Sequence, residues 1–249
     1  MYSKIYDFCK VRNVGNVFQN DPEDPTPRVK FLMELLESEG IEYELDKSEN
    51  RRGTTTIYNL ILKGTSNKMV VAHHDICNPN IDNANDNSCS VINAIMIKKL
   101  MPHINVCLLD GEEFGGQGSQ RVSNQIKDGY FGDIEWVLNL ELTGKGGKYF
   151  FIGNYPGPLS DHIQSLFDCP VTETPFNDAV IFRRNGIDSV VINPIPPLKK
   201  GEKSSVKYGD KYLDYSMLFN CHSSRDTVAS IDPNDMKEFV EEIVLKILA

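Results

Sequence analysis

Four short apolar runs limit what this chain can fold into more than any other feature: Met69–His73, Ile104–Asp110, Trp136–Glu141 and Ser189–Asn193. They are continuous rather than alternating, as expected of strands covered on both faces. Helical patterns separate them at Ser90–Leu100, where Val91, Ile92 and Ile95 share a side, at Gln117–Lys127 and at Leu159–Phe167. Strands alternating with helices predict an α/β fold, a three-layer αβα sandwich around a mostly parallel mixed sheet. Ahead of the runs, Val29, Leu32, Met33 and Leu36 recur at helical spacing after the turn-rich residues 19–27, and Gly40 marks a stop. Tyr43 and Leu45 alternate with charged residues, and Thr54–Leu62 is rich in β-branched and aromatic types; both read as half-exposed edge strands. A last helix is expected from Asp232 as N-cap, Pro233 in the first turn and the apolar face Met236, Phe239, Val240, Ile243, Val244 and Ile247. A length of 249 residues suits one domain over 1–249.

Charge and patterning exclude several classes of partner. A formal net charge of -9 leaves no basic excess to meet nucleic-acid phosphates. No apolar run approaches the roughly 20 residues of a membrane span. The first ten residues, MYSKIYDFCK, lack the apolar core of a secretory signal. Six cysteines are scattered without a C-x-x-C pair, which favours reduced thiols and a cytoplasmic location.

The ends of the runs carry the chemistry. In open α/β sheets, ligands bind beyond the carboxyl ends of the strands. His73 ends the first run, Asp110 with Glu112 and Glu113 follows the second, and Glu141 ends the third. A His-x-Asp pair at His73 and Asp75 suits a metal ligand with its orienting carboxylate, although taken alone the segment better describes a pair of satisfied surface histidines. Asp86, just before a helix, reads alone as a helix cap. Glu112 and Glu113 are harder to explain without a cation, because adjacent carboxylates behind a buried strand repel. His222 stands in a polar loop before the last helix. Two histidines, three carboxylates and one free glutamate are what a pair of borderline cations and an activated water require. No H-E-x-x-H, G-x-S-x-G or phosphate-loop pattern is present. Cys89 and Cys221 read as small packing residues. His74 is open between a substrate contact and a solvent-facing role. Arg183 and Arg184 could receive a substrate carboxylate or simply solvate a helix.

The succession AHHD, NANDNS, DGEEFGGQGS, NLE and CHSSRDT, with Asn177-Asp178 followed by Phe182, Gly186 and Ile187, resembles the two-zinc aminopeptidase family (clan MH) of bacterial leucyl aminopeptidases and glutamate carboxypeptidases, over about residues 29–249. The resemblance implies two Zn2+ ions, one held by His73, Asp86 and Glu141 and the other by Asp86, Glu113 and His222. It implies Glu112 as general base and later acid, Asp75 as the group orienting His73, and a cis peptide at Asp86–Asn87. The implied activity is hydrolysis of N-terminal peptide bonds in a peptide or aminoacyl substrate, with a hydroxide between the two zincs as nucleophile. Three departures stand out: Glu141 where the family usually has Asp, Asn83 and Ser90 where it often has glycine, and a long Lys- and Tyr-containing stretch between Pro194 and Cys221, read as a loop over the site or equally as a surface insertion with no substrate role. Two rival readings are a single-zinc acyltransferase of the glutaminyl cyclase type, which shares the fold, and a catalytically silent binding relative.

Overall fold

The computed structural model describes residues 1–11, 24–50, 52–53, 55–198, 205–208, 211–214, 218 and 220–249. Its strands are β1 (Glu44–Glu49), β2 (Thr56–Leu62), β3 (Lys68–His73), β4 (Asn105–Leu109), β5 (Trp136–Leu140), β6 (Phe150–Gly153), β7 (Val171–Thr172), β8 (Asp188–Pro194), β9 (Ser205–Tyr208) and β10 (Lys211–Asp214). Its helices are α1 (Lys4–Phe8), α2 (Pro27–Ser38), α3 (Cys89–Leu100), α4 (Gln117–Lys127), α5 (Pro158–Leu166), α6 (Asp178–Arg184), α7 (Pro233–Phe239) and α8 (Leu245–Leu248), the last two joined by a π-helical turn at Val240–Val244. Among the described residues, β1 to β8 make one mixed sheet in the order β1-β2-β4-β3-β5-β8-β6-β7.

The four apolar runs are its parallel centre, β4-β3-β5-β8. Alternate residues of each strand face opposite sides, and both sides are covered. On β3, Val70 and Ala72 join a core with Leu32 of α2, Ile92 and Ile95 of α3, and Phe239 of α7. Met69 and Val71 pack the other way, with Val122 of α4 and Phe182 of α6. Each such Val, Leu or Ile contributes about 1.5–3 kcal/mol on burial, which is why the most continuous runs take the middle. The three-layer sandwich is therefore as expected. The chain leaves β3 for β4 on one side, then crosses to β5 on the other. A crevice opens where strand order reverses in this way, and His73 is the last residue of β3.

Several elements depart from the sequence expectation. Far from being a half-exposed edge, β2 lies between β1 and β4 with all seven residues buried. Its alternation was hidden because Tyr58, Leu60 and Leu62 face one core and Ile61 the other. In α2, Leu35 is buried where Met33 was expected, and Met33 is only partly covered. The strands β6 and β7 went unforeseen; at four and two residues they are too short to declare a period. Within the stretch expected as a loop between Pro194 and Cys221, β9 and β10 pair antiparallel. Positions 199–204, 209–210, 215–217 and 219 lie outside the described residues, as do 19–23 of the turn-rich segment. No helix among the described residues is long and apolar enough to cross a membrane.

Arg28 of α2, which the sequence did not single out, ties the helical layer to the sheet end. It is buried, with Nε donating to the His74 carbonyl at 2.7 Å, Nη1 to Val11 at 3.1 Å and Nη2 to Ser88 Oγ at 2.9 Å, and its guanidinium stacks 3.9 Å from the Phe8 ring centroid. Burial pulls its pKa down to about 10. Arg28→Met would strand those acceptors, at about 1–3 kcal/mol for each left unsatisfied. We expect a loss of about 2–4 kcal/mol in denaturant unfolding, part of the cost being recovered by not burying a charge. A variant within about 1 kcal/mol of the parent would show the network to be dispensable.

Candidate metal centre

The strand ends and two distant loops bring the five expected side chains together. His73 leaves the carboxyl end of β3, and Glu141 is the residue after β5. Glu112 and Glu113 occupy the turn between β4 and α4. Gly118 lets that turn close: a Cβ there would sit 2.4 Å from Asn59 Oδ1 and from the Asp110 carbonyl, and the Gly118 N–H donates to that carbonyl at 2.8 Å. Asp86 lies in the Ala84–Ser88 segment, whose Asp86–Asn87 peptide is cis. His222 adopts φ 58, and Asn83, at a position where the family often has glycine, adopts φ 47; asparagine tolerates this left-handed region better than most residues.

The geometry is that of two clusters sharing one carboxylate. His73 Nε2 is 3.3 Å from Asp86 Oδ1 and 3.5 Å from Glu141 Oε2. His222 Nε2 is 3.1 Å from Asp86 Oδ2 and 3.0 Å from Glu113 Oε2. Asp86 thus sends one oxygen to each cluster, and the helix-cap reading is set aside: the N-cap position of α3 is Ser88, two residues further on. Atoms held about 2.0–2.1 Å from a tetrahedral zinc stand about 3.3–3.4 Å apart, close to these separations. Glu113 Oε1 is buried with no hydrogen-bond partner. The residues present therefore fit a pair of cations. The longer Glu141 side chain still reaches the cluster, with Oε1 accepting from Asn139 Nδ2 at 3.2 Å.

Electrostatics point the same way. Burial would lower the His73 pKa, but Glu141, Asp75 and Asp86 outweigh it and hold it well above the usual value. His222 is pushed up to about 9, chiefly by its bond to Asp86. Burial raises Glu113 to about 7 and Glu112 to about 10. So many carboxylates in one buried place favour any positive charge among them, whether imidazolium or metal. Glu112 makes no hydrogen bond or ion pair through its carboxylate among the described residues, and it lines a cavity of about 390 Å³ together with His73, Asp86, Glu141 and His222.

Asp75 serves two ends. Oδ1 lies 3.3 Å from His73 Nδ1, short of good hydrogen-bond alignment, and its two oxygens accept the backbone N–H groups of Glu112 at 3.2 Å and Glu113 at 3.1 Å. One buried carboxylate thus fixes both the first histidine's neighbourhood and the Glu-Glu turn.

Other assignments change. His74 is neither a substrate contact nor solvent-facing: it is buried, its Nε2 bonds the Tyr58 carbonyl at 2.8 Å, and burial lowers its pKa to about 4. Asp110 turns away and accepts the Tyr58 N–H at 2.9 Å. Arg183 is taken by Asp188 at 2.8 Å and by the Pro156 carbonyl at 2.6 Å, and Arg184 is exposed; neither lines the cavity. Cys89 is buried packing as expected, whereas Cys221 lines the cavity.

Sequence reasoning placed Asn87, Asp178 and Asp226 within the motifs but gave them no role. Asp226 accepts the N–H groups of Asn85 at 2.7 Å and Asp86 at 3.0 Å, pinning the shared carboxylate's backbone. Asn87 donates to the Leu140 carbonyl at 3.0 Å and accepts the Leu142 N–H at 3.1 Å. Asp178 is wholly buried with neither oxygen hydrogen-bonded, and burial pushes its pKa up to about 7. Only proximity of their motifs to the five ligands could have signalled them.

Comparison with known proteins gives the family and the fold. The model of peptidase family M28 matches residues 59–247. The LapA aminopeptidase of Legionella pneumophila superposes with a TM-score of 0.68 at 12% identity, over 99% of this chain and 70% of that one. A glutaminyl cyclase from an Acidobacteriales bacterium gives 0.67 at 16% identity, over 99% and 92%. A zinc aminopeptidase from Bacillus subtilis gives 0.56 at 16% identity, over 78% and 49%. At these identities the likenesses establish the fold. No curated protein matches the sequence.

Proposed function

This chain belongs to peptidase family M28, and from that premise we propose that it is an aminopeptidase working with two zinc ions. One ion would be held by His73, Asp86 and Glu141, the other by Asp86, Glu113 and His222. The observation that carries this reading is the division of Asp86 between the two histidines. Its support from comparison is that a zinc aminopeptidase and another aminopeptidase share the fold.

When bound, such ions polarise a carbonyl and lower the pKa of a water. The chain's own residues supply the rest. Glu112, unengaged and at the cavity wall, takes a proton from the attacking water and returns it to the leaving amine. Asp75 holds the backbone of that glutamate in place. Asp86, Glu112 and Glu141 give the cavity an acidic floor, and no Lys or Arg lines it among the described residues. With no Lys or Arg in the lining, a free substrate carboxylate has no cationic side chain to meet, whereas Glu112, the lining carboxylate left over by the two ions, can accept from a free α-amino group. A peptide or aminoacyl compound with a free N-terminus fits. Leu142, Phe151, Phe176 and Val191 form the apolar wall beside it.

Metal analysis joined to a screen of aminoacyl-anilides and dipeptides tests the proposal. Two zinc ions per chain are expected, with hydrolysis that stops on chelation, returns with zinc and refuses N-acetylated substrates. The likeness to a glutaminyl cyclase makes the contrary outcome definite: one tight ion and cyclisation of N-terminal glutamine would replace this reading with a single-zinc acyltransferase.

A further inference from the structure

The second cluster has a member that neither the motif order nor the proposed mechanism uses. Cys77 follows β3 in the turn leading to the Ala84–Ser88 segment, and it is exposed. Its Sγ, a carboxylate oxygen of Glu113 and a ring nitrogen of His222 all lie within 4.8 Å of one another. Glu113 is a second and independent pointer: its side chain is 6% exposed, yet Oε1 has no hydrogen-bond partner. The thiol thus stands beside a histidine nitrogen and a glutamate that keeps one buried oxygen unpartnered. Asp86 Oδ2 and Glu113 Oε2 lie 3.1 and 3.0 Å from His222 Nε2; the Cys77 thiol would add a fourth donor to these three, the number a tetrahedral cation takes.

We propose that Cys77 is a direct thiolate ligand of the cation held by Asp86, Glu113 and His222, making that position selective for zinc, cobalt or cadmium over magnesium and manganese. This rests on the two-cation reading above. Thiolate is a soft donor, and sites built only of carboxylate and imidazole discriminate less against the harder ions. As the sulfur–metal bond forms, the S–H bond breaks and its proton passes to solvent. Partial burial, and then the charges of Glu113 and Asp86, hold the thiol above its ordinary pKa, so an isolated activated nucleophile is not what the surroundings favour. The same negative charges attract a cation.

Cobalt(II) loading of the full chain tests this, because a thiolate ligand gives a near-ultraviolet sulfur-to-cobalt charge-transfer band. The band is expected in the parent, lost in Cys77→Ser and kept in Cys221→Ser, with circular dichroism checking that each variant is folded. Zinc should also suppress alkylation of Cys77 by iodoacetamide, followed by mass spectrometry. Outer-shell partners alone are worth about 10–100-fold in metal affinity, so Cys77→Ser should weaken the second zinc by about tenfold or more while the first is retained. Two bound cobalt ions with no Cys77-dependent band, or an alkylation rate indifferent to zinc, would overturn the proposal and leave the two-cation reading standing. A protein that binds no divalent ion would sink both.

Discussion

Glu112→Gln is expected to keep both cations and lose about 10²–10⁴-fold of turnover, the usual worth of a positioned acid–base group. The amide keeps the size and the cavity-lining place of the carboxylate but cannot accept a proton. Nothing else should move. The Glu112 backbone is held by its own N–H to Asp75 at 3.2 Å, a contact the side chain does not share, and no ligand-to-ligand contact passes through it. Burial pushes the Glu112 carboxyl up to about 10 with no cation beside it. Two positive ions alongside would favour the charged form and bring the pKa down toward neutral pH, where the group can both take and return a proton. The decisive measurement is kcat set against metal content on the same preparation. Turnover within about tenfold of the parent at full zinc occupancy would remove Glu112 from the chemistry.

Asp86→Ala should cost both cations at once. Asp86 Oδ1 and Oδ2 contact different histidines, so one truncation takes a ligand from each cluster. Glu141→Ala or His222→Ala removes a ligand from only one. The expected metal contents are two for the parent, one for each single-cluster variant and none for Asp86→Ala at zinc concentrations that saturate the parent. Activity should disappear with the metal. Asp86→Asn, nearly identical in shape, separates charge from packing and should behave like the alanine variant, since an amide is a far poorer ligand than a carboxylate for such an ion. If Asp86→Ala retains one ion at parental affinity, the carboxylate is not shared, and the two-cluster arrangement loses its centre.

How much of this was readable without coordinates depends on the range of the interactions involved. The central strands were legible because burial on both faces leaves a local mark, an unbroken apolar run; α4 was legible to the residue, and Asp232 caps α7 as expected, accepting the Asn234 N–H at 2.9 Å. Where one element meets two different cores, as β2 does, the local pattern misleads. The candidate ligands were legible for a different reason. Each stands where a strand stops or a polar loop begins, and the succession of motifs resembles a family whose chemistry fixes their types. Their supports were not. Asp226 holds a backbone 140 residues away, and Arg28 holds one 46 residues away, and an aspartate or arginine that bonds a distant peptide group leaves no periodicity in its neighbours.

The sequence by itself determined which residues could bind cations and which strands would carry them, because residue chemistry and apolar continuity are local properties. Only the tertiary structure decided how those groups are shared: that Asp86 faces two ways, that Asp75 serves both His73 and the Glu-Glu turn, that His74 is turned inward, and that Cys77 reaches the second cluster. Those facts depend on directions of side chains brought together across the sheet's switch point. Direction is set by packing, which no single stretch of chain contains.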